Sequence, residues 1–224
     1  MKLFIITGIS RGLGNAFLRY LYINECLIIG TSRTPPSGLK TNTDRFLFKR
    51  WDMVEPANYP RIKESFIDRS DEVVFINNAA TIEPVTLIEN LSLDQIKRSI
   101  AINYIAPVLF TKYIIKLTLK KNKHLQIINI SSGAAQTPIA GWSLYCSTKA
   151  ALKMYFKCLG KEYPQIVIHN VDPGVIDTDM QRLLRSLSEE EFPEVSRFKD
   201  MHKDGLLRSP DEVAKKIIEE LNLI

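Results

Sequence analysis

Short apolar runs alternating with helical patterns constrain this chain more than anything else in it. The runs are Lys2–Thr7 (KLFIIT), Cys26–Thr31 (CLIIGT), Phe46–Arg50, Val73–Ile76, Leu125–Ile130 (LQIINI) and Ile166–Val171. Their length and continuous Ile, Val, Leu and Phe content suit strands buried on both faces, as in parallel sheets. Between them, apolar residues recur at helical spacing: Phe17, Leu18 and Leu21, then Ile96, Ile100, Val108 and Ile115, then Ala150 onward, and last Val213, Ile217, Ile218 and Leu221. Pro107 falls inside the second pattern and predicts a kink. With no internal repeat and no linker, this alternation predicts one α/β domain over residues 1–224, a doubly wound parallel sheet with helices on both faces.

The composition excludes several classes. Hydrophobic residues at 45% and charged residues at 25% are ordinary globular values, which rules out a disordered chain. Cys26, Cys146 and Cys158 are odd in number and form no C-x-x-C pair, so free thiols in a reducing compartment are expected rather than a disulfide framework. His124, His169 and His202 lack metal-ligand spacing, and no metal site is expected. A net charge of +5, whose one dense cluster is Lys120, Lys121, Lys123 and His124, gives no basic face or stacking aromatics for nucleic acid. No apolar stretch reads as a membrane span or a signal peptide, so a soluble, cytoplasmic protein is expected.

The first run leads into Gly8-Ile9-Ser10-Arg11-Gly12-Leu13-Gly14 and then a helix. Glycines there allow a tight turn and close approach to a pyrophosphate, whose charge a helix N-terminus favours. The spacing differs from the common G-x-G-x-x-G fingerprint, and a mere tight turn is the competing reading. After the second run stands Arg33 where a fold holding NAD usually places an acid; with Arg11 it argues for the 2′-phosphate of NADPH, against two plain surface arginines. Asp52, after the third run, could accept from an adenine amino group or simply make a turn. Asn77-Asn78-Ala79-Ala80 ends the fourth run with small residues that let a cofactor approach, or with a good turn.

Ser131 and Ser132 fall where the fifth run ends, the edge at which open α/β sheets bind ligands. Tyr145 and Lys149 follow on a new helix, four residues apart and hence on one face. A free phenol titrates near ~10, and a neighbouring ammonium should lower that value, making Tyr145 an acid/base. A serine hydroxyl beside it could donate where negative charge develops. An amphipathic helix start gives the same spacing, so the pair alone is not decisive. Asn103 is either a core amide or part of a site, and pattern favours the core. Downstream, Asp172-Pro173-Gly174-Val175-Ile176-Asp177-Thr178 follows the sixth run. The charged stretch from Met180 to Gly205 reads as a lid over a pocket or as a surface excursion, and not as a core element. Ser209-Pro210-Asp211 starts the last helix.

Together these motifs resemble the short-chain dehydrogenase/reductase family over almost the whole chain, and within it the sepiapterin reductase and benzil reductase branch. The resemblance implies a Rossmann-like single domain and an NADPH-dependent carbonyl reductase acting on a ketone, such as a vicinal diketone or a sepiapterin-like substrate. It implies Tyr145 as proton donor, Ser132 as its partner on the substrate oxygen, Lys149 on the tyrosine and the nicotinamide ribose, and Asn103 positioning a water. It implies cofactor contacts from Gly8, Ser10, Arg11, Gly12, Leu13, Gly14, Arg33, Asp52, Asn78 and Ala79. Pro173, Gly174, Val175 and Thr178 would hold the carboxamide, and residues 177–205 would form the substrate lid. Two departures stand out: Ala80 replaces the family's glycine, and the chain stops at Ile224 where relatives add a last strand, which favours a homodimer or monomer over a tetramer. A 3-oxoacyl thioester reductase is the second enzyme reading. A catalytically silent NADP-binding sensor is the reading from another class, disfavoured because Tyr145 and Lys149 are both present.

Overall fold

In the computed structural model, which describes all 224 residues, each apolar run is a strand. These are β1 (Lys2–Thr7), β2 (Leu27–Ser32), β3 (Phe46–Arg50), β4 (Glu72–Asn77), β5 (His124–Ile130) and β6 (Val167–Val171). All neighbours pair parallel, in the order β3-β2-β1-β4-β5-β6. The order reverses between β1 and β4, and a crevice opens outside the strand ends at such a switch point. The helices are α1 (Gly12–Ile23), α2 (Glu64–Asp68), α3 (Leu93–Ile100), α4 (Ala106–Lys120), α5 (Ser143–Glu162), α6 (Asp179–Arg185), α7 (Val195–Lys203) and α8 (Pro210–Glu220).

Successive strand residues point to opposite faces, and both faces are apolar. Leu3, Ile5, Val73, Phe75 and Ile127 meet Phe110 and Ile114 of α4 and Leu152 and Phe156 of α5. Phe4, Ile6, Val74, Ile76 and Ile128 meet Phe17 and Leu21 of α1 and Val213 and Ile217 of α8. The two clusters hold 21 and 19 buried residues, so neither face is left to solvent and the sheet is doubly wound as expected. The last helix starts at Ser209 as expected, in a capping box whose hydroxyl accepts from Glu212 N (3.2 Å), and α3 starts in another, where the Ser92 hydroxyl accepts from Gln95 N (3.2 Å). No strand follows α8 within the chain, so β6 is the sheet's edge.

The long helix changes character at Pro107, taking a π-helical turn just before it, over Ala101–Ile105. Proline has no N–H for the carbonyl four residues back, that of Asn103, and the wider turn absorbs the mismatch. An 18-residue window of the run Leu93–Lys120 reaches a mean hydropathy of 1.4, enough to cross a membrane by length and composition alone. Here it is a core helix, with Ala106, Phe110, Ile114 and Ile115 buried against the sheet.

Phe110 is the hub of that core: its ring centre lies 5.1 Å from Trp51, 5.5 Å from Phe75 and 6.1 Å from Tyr113. Truncation would leave a cavity among groups that cannot collapse into it. Phe110→Ala should therefore cost about 3–5 kcal/mol, read as a lower denaturant midpoint in urea; an unchanged midpoint would show that the core does not depend on this ring.

Candidate active site

A cleft of about 720 Å³ follows the carboxyl edge of the sheet. Every predicted site residue lines it except Gly14 and Asn103. The cleft wall therefore joins Gly8, Ser10, Arg11, Gly12 and Leu13 after β1, Arg33 after β2, Asp52 after β3, and Asn78 and Ala79 after β4. Ser132 after β5, Tyr145 and Lys149 of α5, and Pro173, Gly174, Val175 and Thr178 after β6 complete it.

The glycine loop is shaped for close packing. Gly8 has φ +78°, a left-handed conformation that suits glycine. A Cβ on Gly14 would sit 2.2 Å from the Gly8 carbonyl oxygen, so Gly14 is required for the loop to lie on α1, although it does not reach the cleft. Thr7 Oγ1 accepts from both Asn78 N and Ala79 N at 3.0 Å, while Asn78 Nδ2 donates to Thr7 O at 2.9 Å. Asn78 thus laces the end of β4 to the end of β1. The α1 N-terminus has no side-chain cap, leaving its first N–H groups for an anion in the cleft.

The two arginines differ. Arg33 is exposed on the cleft wall with no hydrogen-bond or ion-pair partner, whereas Arg11 Nη1 donates to Asp179 Oδ2 of α6 at 3.2 Å. Only Arg33 is unengaged, which narrows the expectation that both would face a 2′-phosphate. Asp52 Oδ1 accepts from Val54 N at 3.1 Å, so its turn reading holds, and it lines the cleft as well.

At the other end of the cleft, α5 brings Tyr145 and Lys149 to the end of β5, both buried. Lys149 Nζ donates to Ile130 O at 2.9 Å and lies 5.8 Å from the centre of the Tyr145 ring. Burial pushes the Tyr145 phenol up to about 12, opposed by the Ser132 side chain. Burial also brings the Lys149 ammonium down to about 8, opposed by the Asp172 carboxylate. Lys149 was expected to lower the tyrosine; burial is instead the largest influence on the phenol and raises it, and Tyr145 stays a phenol at neutral pH. A phenol is the form that can give a proton.

Asn103 is placed by the π-helical turn and is fully buried. Its Oδ1 accepts from Thr81 N (2.9 Å), and its Nδ2 donates to Thr81 O (2.8 Å) and Thr148 Oγ1 (3.2 Å). The reading from pattern, a satisfied core amide, describes the side chain correctly. Any hold on a water must come from its main chain, whose carbonyl lacks the usual α-helical donor because Pro107 has none.

Several contacts at the site went unread. Thr148 ties the π-helical turn to α5 between Tyr145 and Lys149, donating to Tyr145 O at 3.1 Å. Asp172 lines the cleft and accepts from Gly174 N at 3.0 Å. Asn77, Asn129 and Asn170 form a row across β4, β5 and β6, with side-chain bonds of 2.9 and 2.8 Å. An asparagine at the carboxyl end of each of three apolar runs was the available signal. The stretch from Met180 to Gly205 also differs from expectation, because Leu184, Phe192, Val195 and Phe198 are buried with Trp142 and Tyr145 in a small core of their own. Aromatic contacts of 5.0 Å (Trp142 to Tyr145) and 5.4 Å (Trp142 to Phe192) hold it on α5.

Fold and cleft together describe an oxidoreductase of the carbonyl/alcohol couple. Comparison with known proteins agrees. Residues 2–188 match the family model described as short chain dehydrogenase. The benzil reductase ((S)-benzoin forming) of Bacillus cereus is 34% identical over 97% of this chain and 92% of its own length. The sepiapterin reductase of Xenopus tropicalis is 28% identical over 97% of this chain and 90% of its own. Among solved structures, the KRED1-Pglu enzyme superposes with a TM-score of 0.82 at 26% identity, covering 96% of this chain and 92% of that one. The chain belongs to the short-chain dehydrogenase/reductase family, which uses nicotinamide cofactors. The cleft fits such a cofactor: the Gly8–Gly14 packing leaves no room for a Cβ, the α1 N-terminus is uncapped, and the buried Ser131 hydroxyl on the wall has no partner.

Proposed function

We propose that this protein is an NADPH-dependent carbonyl reductase acting on ketones, with aryl vicinal diketones as the substrate class that fits best. The observation carrying this reading is a buried tyrosine, beside Ser132 and Lys149, at one end of a cleft whose other end is a glycine loop. Ile82, Ile139, Leu184 and Phe198 make the substrate end apolar enough for aromatic rings. The reduction of benzil for which the Bacillus cereus relative is named supports the same class.

The nicotinamide, when bound, supplies hydride to the carbonyl carbon. Tyr145 gives its phenolic proton to the carbonyl oxygen, and the Ser132 hydroxyl donates to that oxygen as negative charge builds. Lys149, charged below about 8, offsets the phenolate left behind and holds the ribose hydroxyls. The Asn103 main chain positions a water that returns the proton. Gly8, Ser10, Gly12 and Leu13 would surround the pyrophosphate, Asp52 and Ala79 the adenosine, and Arg33 the 2′-phosphate. The backbone of Val175 and the Thr178 hydroxyl would hold the carboxamide. Arg98 and Arg197 also line the cleft, which keeps a 3-oxoacyl thioester as the second substrate reading. Three free cysteines suit a reducing compartment, and we place the protein in the cytoplasm.

The direct test follows oxidation of NADPH, and in parallel NADH, with benzil, simple ketones and a 3-oxoacyl thioester. Benzil turnover with NADPH and little with NADH is expected; NADPH binding with no turnover of any substrate would instead favour the silent sensor. Tyr145→Phe should lower kcat by about 100- to 10,000-fold with NADPH affinity retained. Substantial residual activity would remove Tyr145 from the proton step.

The wild-type pH profile has a definite sign. Reduction needs Tyr145 protonated and Lys149 charged, and both hold below about 8. Reductive kcat/KM should be flat up to neutrality and fall as pH rises through about 8, where Lys149 loses its proton. A plateau persisting well into the alkaline range would mean that the lysine charge is not needed. Arg33→Ala should weaken NADPH by about 10- to 100-fold and leave NADH nearly unchanged; equal losses would place the 2′-phosphate elsewhere.

A further inference from the structure

Lys149 is a cation only 4% exposed, and no acid touches it: its Nζ donates to Ile130 O at 2.9 Å and forms no ion pair. A buried ammonium is costly unless a negative charge stands near it. Four acids line the cleft: Asp52, Glu83, Asp172 and Asp179. Asp52 follows β3, at the opposite side of the sheet, and Asp179 is paired with Arg11 and Arg182. Asp172 follows β6 directly, and β6 pairs with β5 through Val171 and Ile130, with Ser131 N donating to Val171 O at 2.7 Å. The carbonyl that holds Lys149 and the backbone that carries Asp172 are thus neighbours across one strand pair. Asp172 Oδ1 accepts from Gly174 N at 3.0 Å, and Oδ2 stands 3.5 Å from where a Cβ on Gly133 would be, beside Ser132. The carboxylate is turned towards the serine loop, and no cation pairs with it.

An asparagine would accept from Gly174 N equally well, so the turn accounts for the shape of this side chain but not for its charge. We infer that Asp172 is a positioning residue for the reaction: its carboxylate is the counter-charge that keeps the buried Lys149 ammonium charged beside Tyr145. The proton affinities point the same way, since the Asp172 carboxylate raises Lys149 against the effect of burial and raises Tyr145 as well. The other titratable or charged groups near the pair are engaged or remote. Cys146 adjoins Tyr145, Arg98 of α3 is exposed on the cleft wall, Tyr104 packs on Tyr155, and His169 of β6 bonds Gln126. Arg208 packs against Gly174 without reaching ion-pair distance of Asp172. Asp172 is the one charge that bears on Lys149. The inference rests on the carbonyl-reductase reading above and adds to it the group that sets the alkaline limit of the reaction.

The test follows the Lys149 side-chain NMR signal through a pH titration of the protein alone, the signal being assigned by its loss in Lys149→Met. In wild type it should titrate near about 8. A nearby anion favours the charged ammonium, so removing it lets the lysine lose its proton at lower pH. Asp172→Asn, which keeps an acceptor for Gly174 N, should lower the midpoint by about 0.5–1 pH unit, a range discounted for the exposure of the carboxylate. Asp172→Glu, which keeps the charge, should titrate close to wild type. In benzil reduction, Asp172→Asn should lose about 2- to 5-fold more kcat/KM at pH 8 than at pH 6. An unmoved lysine signal with equal losses at both pH values would make Asp172 a turn residue alone and overturn the inference, leaving the carbonyl-reductase reading intact. A shifted lysine signal in a protein that reduces no ketone would remove that reading and still support the pairing of Asp172 with Lys149.

Discussion

Everything in this molecule follows from parallel pairing. A parallel neighbour can be reached only by a crossover, helical here in every case except the loop from β2 to β3, and parallel pairing ends every strand on the same edge of the sheet. The loops after all of the strands therefore converge on one cleft, although their residues are spread from Gly8 to Thr178. The same pairing buries the strands on both faces, which is why the runs read as continuous apolar stretches rather than as alternating ones.

That double-sided core carries the cost of the site it supports. At the cleft the chain buries a lysine and a tyrosine, leaves the Ser131 hydroxyl and the Gln181 amide nitrogen without partners, and opens the helix before Pro107 into a π-helical turn. Each is unfavourable locally and persists because the surrounding structure holds it. The row of asparagines across β4, β5 and β6 and the Asn103 clamp on Thr81 and Thr148 are the polar frame that keeps the strand ends and α5 in register. The electrostatics of the pair follow from burial more than from proximity. Desolvation pushes Tyr145 up and Lys149 down, which holds the proton on the tyrosine.

The segment between Thr178 and Ser209 shows how a surface-looking sequence can be tied to a site. Its many charges hide four apolar residues, Leu184, Phe192, Val195 and Phe198, that close on Trp142 and Tyr145. Arg11 pairs with Asp179, so the glycine loop and α6 are joined across the cleft as well. Cofactor end and substrate end are thereby in mechanical contact through one short helix.

The strands, their parallel pairing and the convergence of Gly8, Ser132, Tyr145 and Lys149 were legible in the sequence, but not the order of the strands. Apolar run length, glycine spacing and a four-residue helical offset are local properties, and local geometry transmits them directly. Asn103 was legible only as an alternative, because whether a polar side chain in an apolar helix is satisfied depends on partners such as Thr81 and Thr148 that lie far away in the chain. The same holds for the proton affinities of Tyr145 and Lys149, for the engagement of Arg11 by Asp179 and for the bare nitrogen of Gln181. The sequence by itself determined which elements form and which chemistry reaches the sheet edge. Tertiary structure alone decided how deeply those groups are buried and which of them find partners, since desolvation and hydrogen-bond satisfaction are properties of a packed surrounding and not of a residue or its spacing.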